Sequence, residues 1–135
     1  MMRVNERFVG TAAAFLSPLV VNSRCFSWLL VAPKQRCREG REHADAMWAA
    51  HLVLRTLSRL PNSPWRTTCL YRCVSECLVH RYYGEVAVVR LGVRAARPPV
   101  RGIVAHAWVG RALEHVEAES ECADVGFAVL EAFGP

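Results

Sequence analysis

Cys69 occupies the position in this sequence that best suits covalent chemistry. Thr67 and Thr68 precede it and a periodic apolar segment follows, so the pattern predicts a helix that starts beside the thiol. A helix start carries partial positive charge and free N–H groups, which favour the nucleophilic thiolate and can hold an oxyanion. Arg66 and Arg72 flank the site and add positive charge. We therefore predict that Cys69 is a nucleophile.

His106 is the candidate general base. It lies in the apolar run Ala105–Val109, which has strand character, and the two alanines beside it leave room for another segment. Trp108 shares its strand face and can shield it from solvent. A histidine in an apolar strand is more often structural. A neutral imidazole beside a helix-start thiol is nevertheless the pair that cysteine catalysis needs, and the partners need only meet in the fold.

A third group, usually a carboxylate, should orient the imidazole. The candidates are Glu114 and Glu117. If Gly110-Arg111 forms a two-residue turn, the returning strand places Glu117 on the face of His106, whereas a three-residue turn places Glu114 there. We choose Glu117 as the expected third member and keep Glu114 as the alternative.

The elements that position these residues are helices first and strands second. The predicted helices cover residues 8–21 and 25–32 (one or two buried helices), then 42–60, then 67–84. The apolar stripe of the third segment consists of Ala46, Ala50, Val53, Leu57 and Leu60. Predicted strands cover residues 85–93, 102–109 and 112–117, and the tail over 124–133 has mixed, partly helical character. N-terminal helices packed on a small antiparallel sheet make an α+β domain.

The composition limits the function classes. A length of 135 residues predicts one domain, residues 1–135, with an N-terminal helical and loop region over 1–41 and a core over 42–135. The net charge of +5 rests on scattered arginines, so we expect no nucleic-acid partner. No segment has the length of a membrane span or the pattern of a secretion signal, which predicts a cytoplasmic protein with free thiols.

Metal or cofactor binding has little support in the sequence. Cys69, Cys73 and Cys77 have C-x3-C-x3-C spacing, which is not a usual zinc pattern. Cys73 and Cys77 fall on the apolar face of the predicted helix, so we interpret them as buried structural residues. We expect neither a metal nor a cofactor.

Several ordered motifs resemble the transglutaminase-like leader peptidases of lasso-peptide biosynthesis in bacteria. These are Leu60-Pro61, then Thr68-Cys69-Leu70-Tyr71-Arg72-Cys73, then Leu91-Gly92-Val93-Arg94, and finally Ala105-His106-Ala107-Trp108-Val109. The match is clear from about residue 44 to residue 109 and looser to residue 133. Each motif alone is weak, but the ordered set is fairly specific.

The resemblance implies a papain/transglutaminase-like α+β fold. It also implies a cysteine peptidase that removes the leader from a ribosomally made precursor peptide, with Cys69 as nucleophile and His106 as base. Implied partners are a leader-recognition protein and an asparagine-synthetase-like lasso cyclase, and this chain would be the stand-alone peptidase half. The family usually carries an aspartate about a dozen residues after the histidine, where this sequence has Ala118. The alternative is therefore a non-catalytic peptide-binding subunit of a maturation complex.

Overall fold

The computed structural model describes residues 5–31, 43–96, 98–99, 101–111 and 128–129. Four helices come first along the chain: α1 (Glu6–Val21), α2 (Phe26–Leu30), α3 (Ala44–Leu57) and α4 (Cys69–Tyr82). Three strands follow: β1 (Ala87–Ala95), β2 (Ile103–Arg111) and β3 (Ala128–Val129). Helices packed on a small antiparallel sheet confirm the predicted α+β class.

Helix α1 packs along α3 through small residues. Asn5 caps its start by accepting a hydrogen bond from the Arg7 N–H at 3.1 Å. Gly10 lies directly against the Ala46 carbonyl, where a Cβ atom would come within 1.9 Å of the oxygen. Further along, Ala14 packs with Ala50 in a buried cluster. The absence of large side chains on this face lets the two helix backbones come close together.

The prediction that the N-terminal helices are buried is only half right. The outward face of α1 exposes four large apolar side chains: Phe8, Phe15, Leu16 and Leu19. The sequence of α1 is apolar all round, and such a pattern does not tell which face meets the core. The small residues face inward because they allow close packing, and the large ones are left outside.

Helix α3 lies within the predicted range, but the set of residues that it buries differs from the predicted apolar stripe. Ala46 and Ala50 are buried as predicted, together with Ala49 and Leu54. Leu60, which we placed on the stripe, lies beyond the helix and is 53% exposed. The helix ends at Leu57, so the helical period stops before it can turn Leu60 inward.

Helix α4 begins and ends where the sequence predicts. Thr68 is the residue before its first turn, and Gly84 ends the region with a φ of 81°, a conformation that favours glycine. Its buried residues include Cys73, Val74 and Cys77, which belong to the main core together with residues of β1 and β2. The helix therefore lies across the inner face of the sheet.

Over the residues that the structure describes, the strand order of the sheet is β2-β1-β3, and both pairings are antiparallel. Gly110 and Arg111 pair with Val88 and Ala87 at the end of β2. The expected turn at Gly110-Arg111 is therefore wrong. Glycine was read as a turn signal, but here it sits in a strand where the Arg90 side chain crosses it.

The tail contributes a strand where we expected mixed, partly helical character. Ala128 pairs with Val93, and Val129 pairs with Gly92. A two-residue strand is too short to show a period in the sequence, and pairing with β1 determines its conformation. The predicted strand over 112–117 and the predicted loop over 33–41 lie outside the described residues.

Arg81 fastens α2 to the end of α4. Its guanidinium donates to the carbonyls of Trp28 at 2.9 Å, Val31 at 2.8 Å and Ala87 at 2.8 Å. It also lies over the Trp28 ring, 4.3 Å from the centroid. One side chain thus satisfies the exposed carbonyl end of α2 and joins it to β1. Within the described ranges, none of the helices has the length and apolar character that spanning a bilayer demands.

Histidine–carboxylate contacts connect elements away from Cys69. Buried Glu85 accepts from His43 Nε2 at 3.2 Å and lies 2.6 Å from His80 Nδ1. His51 on α3 lies 2.6 Å from the Glu76 carboxylate on α4. These contacts connect α3 to α4 and both helices to the segment before β1.

Candidate active site

Cys69 is the first residue of α4, as the sequence predicts. Thr68 precedes it in an extended conformation, with φ of −66° and ψ of 158°, so the chain turns into the helix at the thiol. Among the described residues, the Thr68 side chain makes no capping hydrogen bond. The first intrahelical bond runs from the Arg72 N–H to the Thr68 carbonyl at 3.2 Å. The N–H groups of the first turn therefore have no capping oxygen from Thr68 and can donate to an anion.

The Cys69 thiol is half-buried and free, whereas the next two cysteines of the helix are buried. Burial raises the pKa of the Cys73 thiol to about 12, with Glu76 adding to the effect. Burial likewise raises the pKa of Cys77 to about 11, although Arg81 opposes the shift. Both thiols therefore stay protonated and act as donors, so Cys69 is the one cysteine of α4 that is open to an electrophile.

The Cys73 thiol connects α4 to β2. Its Sγ donates a hydrogen bond to the Ala107 carbonyl at 3.0 Å. One turn further on, the Cys77 Sγ donates to the Ala87 carbonyl of β1 at 3.4 Å. Because the two contacts lie on different strands, the axis of α4 crosses the sheet. The N-terminal part of the helix lies over β2, and its later part lies over β1.

The direction of the Ala107 carbonyl follows from the strand register. The Ala96 N–H bonds the Gly102 carbonyl at 2.9 Å, which marks that pair as hydrogen-bonded. Hydrogen-bonded and non-hydrogen-bonded pairs alternate, so Leu91 and Ala107 form a non-hydrogen-bonded pair. The Ala107 carbonyl then points away from β1. Helix α4 therefore meets β2 at its outer edge.

The position of Cys69 relative to β2 follows from this crossing. A turn of four residues advances about 6 Å along a helix axis. Cys69 precedes Cys73 by one such turn, in the direction that leads away from β1. The start of α4 therefore lies beyond the Cys73–Ala107 contact, on the side of β2 that faces away from β1.

His106 lies in the middle of β2, opposite Gly92 of β1. Its side chain is exposed, and its ring stacks with Trp108, with ring centroids 6.1 Å apart and an interplanar angle of 19°. The sequence predicted that these two rings share a face, and the stacking confirms it. Ala107 between them is 3% exposed and faces the helices. His106 therefore leaves the strand on the face opposite to Ala107.

The contact of Cys73 with Ala107 joins α4 to the middle of β2, whereas the His106 side chain leaves this strand on the opposite face. Glu117 and Glu114, the candidates for the third group, lie outside the described residues. The two-residue turn that favoured Glu117 does not form at Gly110-Arg111. The preference for Glu117 over Glu114 depended on that turn, so the strand register no longer favours either glutamate.

Sequence reasoning missed the contact that joins the two elements. We interpreted Cys73 as a buried residue, which is correct, but not as a hydrogen-bond donor to the neighbour of His106. The signal was present: residues four apart share a helix face, so Cys73 lies directly beneath Cys69. The strand beneath that face was not identifiable from spacing alone.

One comparison with known proteins identifies a family. A sequence profile of the transglutaminase-like superfamily matches residues 13–132, which is most of the chain. The match includes all of α2, α3, α4 and the three strands, and most of α1. No curated protein and no solved structure is significantly similar to the chain.

Proposed function

The chain belongs to the transglutaminase-like superfamily, and on that premise we propose that it is a cysteine peptidase that removes the leader from a ribosomally made lasso-peptide precursor. Membership of the superfamily is compatible with cysteine peptidase chemistry. The substrate class rests on the ordered motifs around Leu60, Cys69, Gly92 and His106. The observation that carries the proposal is a half-buried free thiol at the first residue of α4, one turn before the residue that bonds the strand of the exposed His106.

The reaction begins when the scissile peptide lies at the outer edge of β2. His106 reaches the thiol around that edge and takes its proton, and Cys69 Sγ attacks the carbonyl carbon. The tetrahedral oxyanion accepts hydrogen bonds from N–H groups in the first turn of α4. His106 then gives the proton to the leaving amine, the C–N bond breaks, and a thioester remains on Cys69.

Water completes the cycle. His106 takes a proton from water, the resulting hydroxide attacks the thioester carbonyl, and the C–S bond breaks to return the thiolate, which regains the proton. The products are the leader with a free carboxylate and the core peptide with a free amine. That amine is the group a lasso cyclase would join to a side-chain carboxylate, so the cyclase and a leader-recognition protein are the partners that this proposal implies.

The third group of the site stays part of the proposal. Glu117 is the first choice and Glu114 the second, and either would accept a hydrogen bond from the imidazole and hold its tautomer. If one of them fills this role, its alanine variant should lower kcat while KM changes little. If neither variant lowers kcat, the site works as a dyad of Cys69 and His106.

The test uses two acyl donors. One is p-nitrophenyl acetate, which reports acylation of a reactive thiol, and the other is a synthetic lasso-peptide precursor that carries its leader. Cys69→Ala and His106→Ala should each reduce turnover at least about a thousandfold, because the members of such a unit act together. Cys25→Ala is the matched control, since Cys25 is also a free thiol but is exposed and precedes α2 rather than starting α4. Unchanged turnover by a folded Cys69→Ala protein would refute the proposal.

One feature favours a second function. Ala118 stands where the family usually has an aspartate, which fits a subunit that binds the precursor without cleaving it. Such a subunit would bind the precursor peptide in a pull-down but would leave Cys69 unmodified by a mild electrophile such as iodoacetamide. Rapid labelling of Cys69 together with precursor cleavage would exclude this alternative.

A further inference from the structure

We propose that Cys73 is the positioning residue of this site: its thiol holds β2 against the first turn of α4 and so sets the distance between Cys69 and His106. This inference rests on the proposed function. Cys73 is one turn along α4 from the nucleophile, and the carbonyl it bonds belongs to Ala107, the residue directly after the base. A single side chain therefore spans the two elements that carry the reacting groups.

The hydrogen bond between Cys73 and Ala107 is buried and short. Cys73 is 7% exposed and Ala107 is 3% exposed, so no bulk water competes for the carbonyl. The 3.0 Å distance is short for a bond from sulfur. Burial raises the pKa of Cys73 to about 12, so the thiol keeps its proton over the whole working range of pH. The donor is thus always present.

The carbonyl has no other role in the sheet between β1 and β2. Ala107 belongs to a non-hydrogen-bonded pair, and its carbonyl points away from β1. The Cys73 thiol takes up this acceptor, which would otherwise be buried beneath the helix. Among the described residues, Cys73 is the donor to this carbonyl. Its removal takes away that hydrogen bond and lets the start of α4 and β2 shift relative to each other.

A shift of this kind affects chemistry more than binding. A displacement of about 1 Å between reacting groups can cost about a hundredfold in rate. Loss of the hydrogen bond from Cys73 to Ala107 should therefore lower kcat about 10-fold to 100-fold and leave KM within about threefold. Merely structural damage would instead lower the amount of folded enzyme and leave the kcat of each folded molecule unchanged.

Cys77 provides a matched control on the same helix. Its thiol is buried, and it donates to a strand carbonyl, but that carbonyl belongs to Ala87 at the far end of β1. Cys77→Ala removes the same atoms from the same core cluster as Cys73→Ala. Because Arg81 also donates to the Ala87 carbonyl, this acceptor stays bonded in Cys77→Ala. Cys77→Ala should therefore lower stability by no more than Cys73→Ala does and change kcat less than about twofold.

Three substitutions at position 73 separate the donor from the packing. Cys73→Val keeps the site filled with apolar atoms, at slightly larger volume, and loses the donor. Cys73→Ala loses both the packing and the donor, and Cys73→Ser keeps a donor. The turnover rate with p-nitrophenyl acetate is divided by the burst amplitude, which counts the folded active sites. The kcat of Cys73→Ser should stay within about threefold of the parent, while the kcat of Cys73→Val and of Cys73→Ala should fall about 10-fold or more. Equal kcat for Cys73→Val, Cys73→Ser and Cys77→Ala would overturn the inference. If Cys73→Ala does not fold, the comparison of Val with Ser decides.

A measurement without turnover keeps this test separate from that of the peptidase. The rate of Cys69 alkylation by iodoacetamide, followed by mass spectrometry of the Cys69 peptide, reports the pairing of thiol and imidazole directly. Cys73→Val should slow it about 10-fold, and Cys77→Ala should not. Full turnover by Cys69→Ala would refute the peptidase. Equal alkylation rates of Cys69 in Cys73→Val and Cys77→Ala would refute the role of Cys73, whatever their turnover.

Discussion

Substitution of Gly10 by alanine should destabilise the protein although alanine is the better helix former. A Cβ at this position would lie 1.9 Å from the Ala46 carbonyl oxygen and 2.7 Å from its carbon. Real Cβ atoms essentially never approach within 3.0 Å of such atoms, so α1 and α3 must part by about 1.1 Å. Both sides of the contact are backbone, and no side-chain rotation relieves it.

The expected free-energy change combines two opposing terms. Overpacking of a core costs about 1–3 kcal/mol, and a backbone clash belongs at the upper end of that range. Alanine recovers about 1 kcal/mol of helix propensity. The net loss is about 2 kcal/mol in the free energy of unfolding, which corresponds to a decrease of about 8 °C in Tm for a chain of this size.

Thermal and urea unfolding of the Gly10→Ala protein measure this loss. The control is Ala12→Gly, which makes the opposite exchange on the half-exposed outward side of α1. With no neighbouring helix to accommodate, it should lower stability by about 1 kcal/mol through helix propensity alone. If Gly10→Ala raised the Tm, the close approach of α1 and α3 would be refuted.

Three further predictions concern the contacts that hold the other elements. Arg81→Lys keeps the charge but loses the planar fork that reaches carbonyls of α2 and β1, so urea unfolding should show a loss of about 2 kcal/mol. The pKa of Cys73 is raised from 9.0 to about 12 and that of Cys77 to about 11, so the stability from their neutral forms is complete below about pH 9 and is lost as pH rises from 9 towards 12. The Cys73→Ser, Cys77→Ser double variant should therefore lose less stability than the parent between pH 8 and 11, and an equal loss would contradict this. Glu85→Ala leaves two buried imidazoles without their shared carboxylate and should cost about 3 kcal/mol, with a loss below about 1 kcal/mol as the contrary result.

The start of α4 was predictable because several local signals agree there. Pro61 and Pro64 end the preceding helix, Thr68 takes an extended conformation, and the apolar period begins with Cys69. Gly84 marks the end for an equally local reason, since its positive φ favours glycine. Local backbone chemistry determines these boundaries, and local chemistry is what a sequence displays.

The predictions were wrong where contacts between residues far apart in the chain determine the local structure. Gly110 has the chemistry of a turn residue, but nine consecutive pairs with β1 keep it in the strand. β3 has only two residues and owes its conformation to Gly92 and Val93. The outward face of α1 could not be assigned because every side of that helix is apolar. In each case the deciding contact joins residues far apart in the chain.

The three cysteines of α4 show how one spacing leads to different chemistry. Positions four apart on a helix share a face, so the pattern C-x3-C-x3-C places all three thiols in one row. The sheet beneath the row makes them different. Cys77 lies over β1 and Cys73 over the outer edge of β2, where each meets a carbonyl that holds its proton in place. Cys69 precedes them by a further turn, so it passes the strand edge and stays half-buried and accessible. The crossing of α4 over the sheet thus assigns the reactive position, and a shift of the helix by one turn would bury the thiol at position 69 as well.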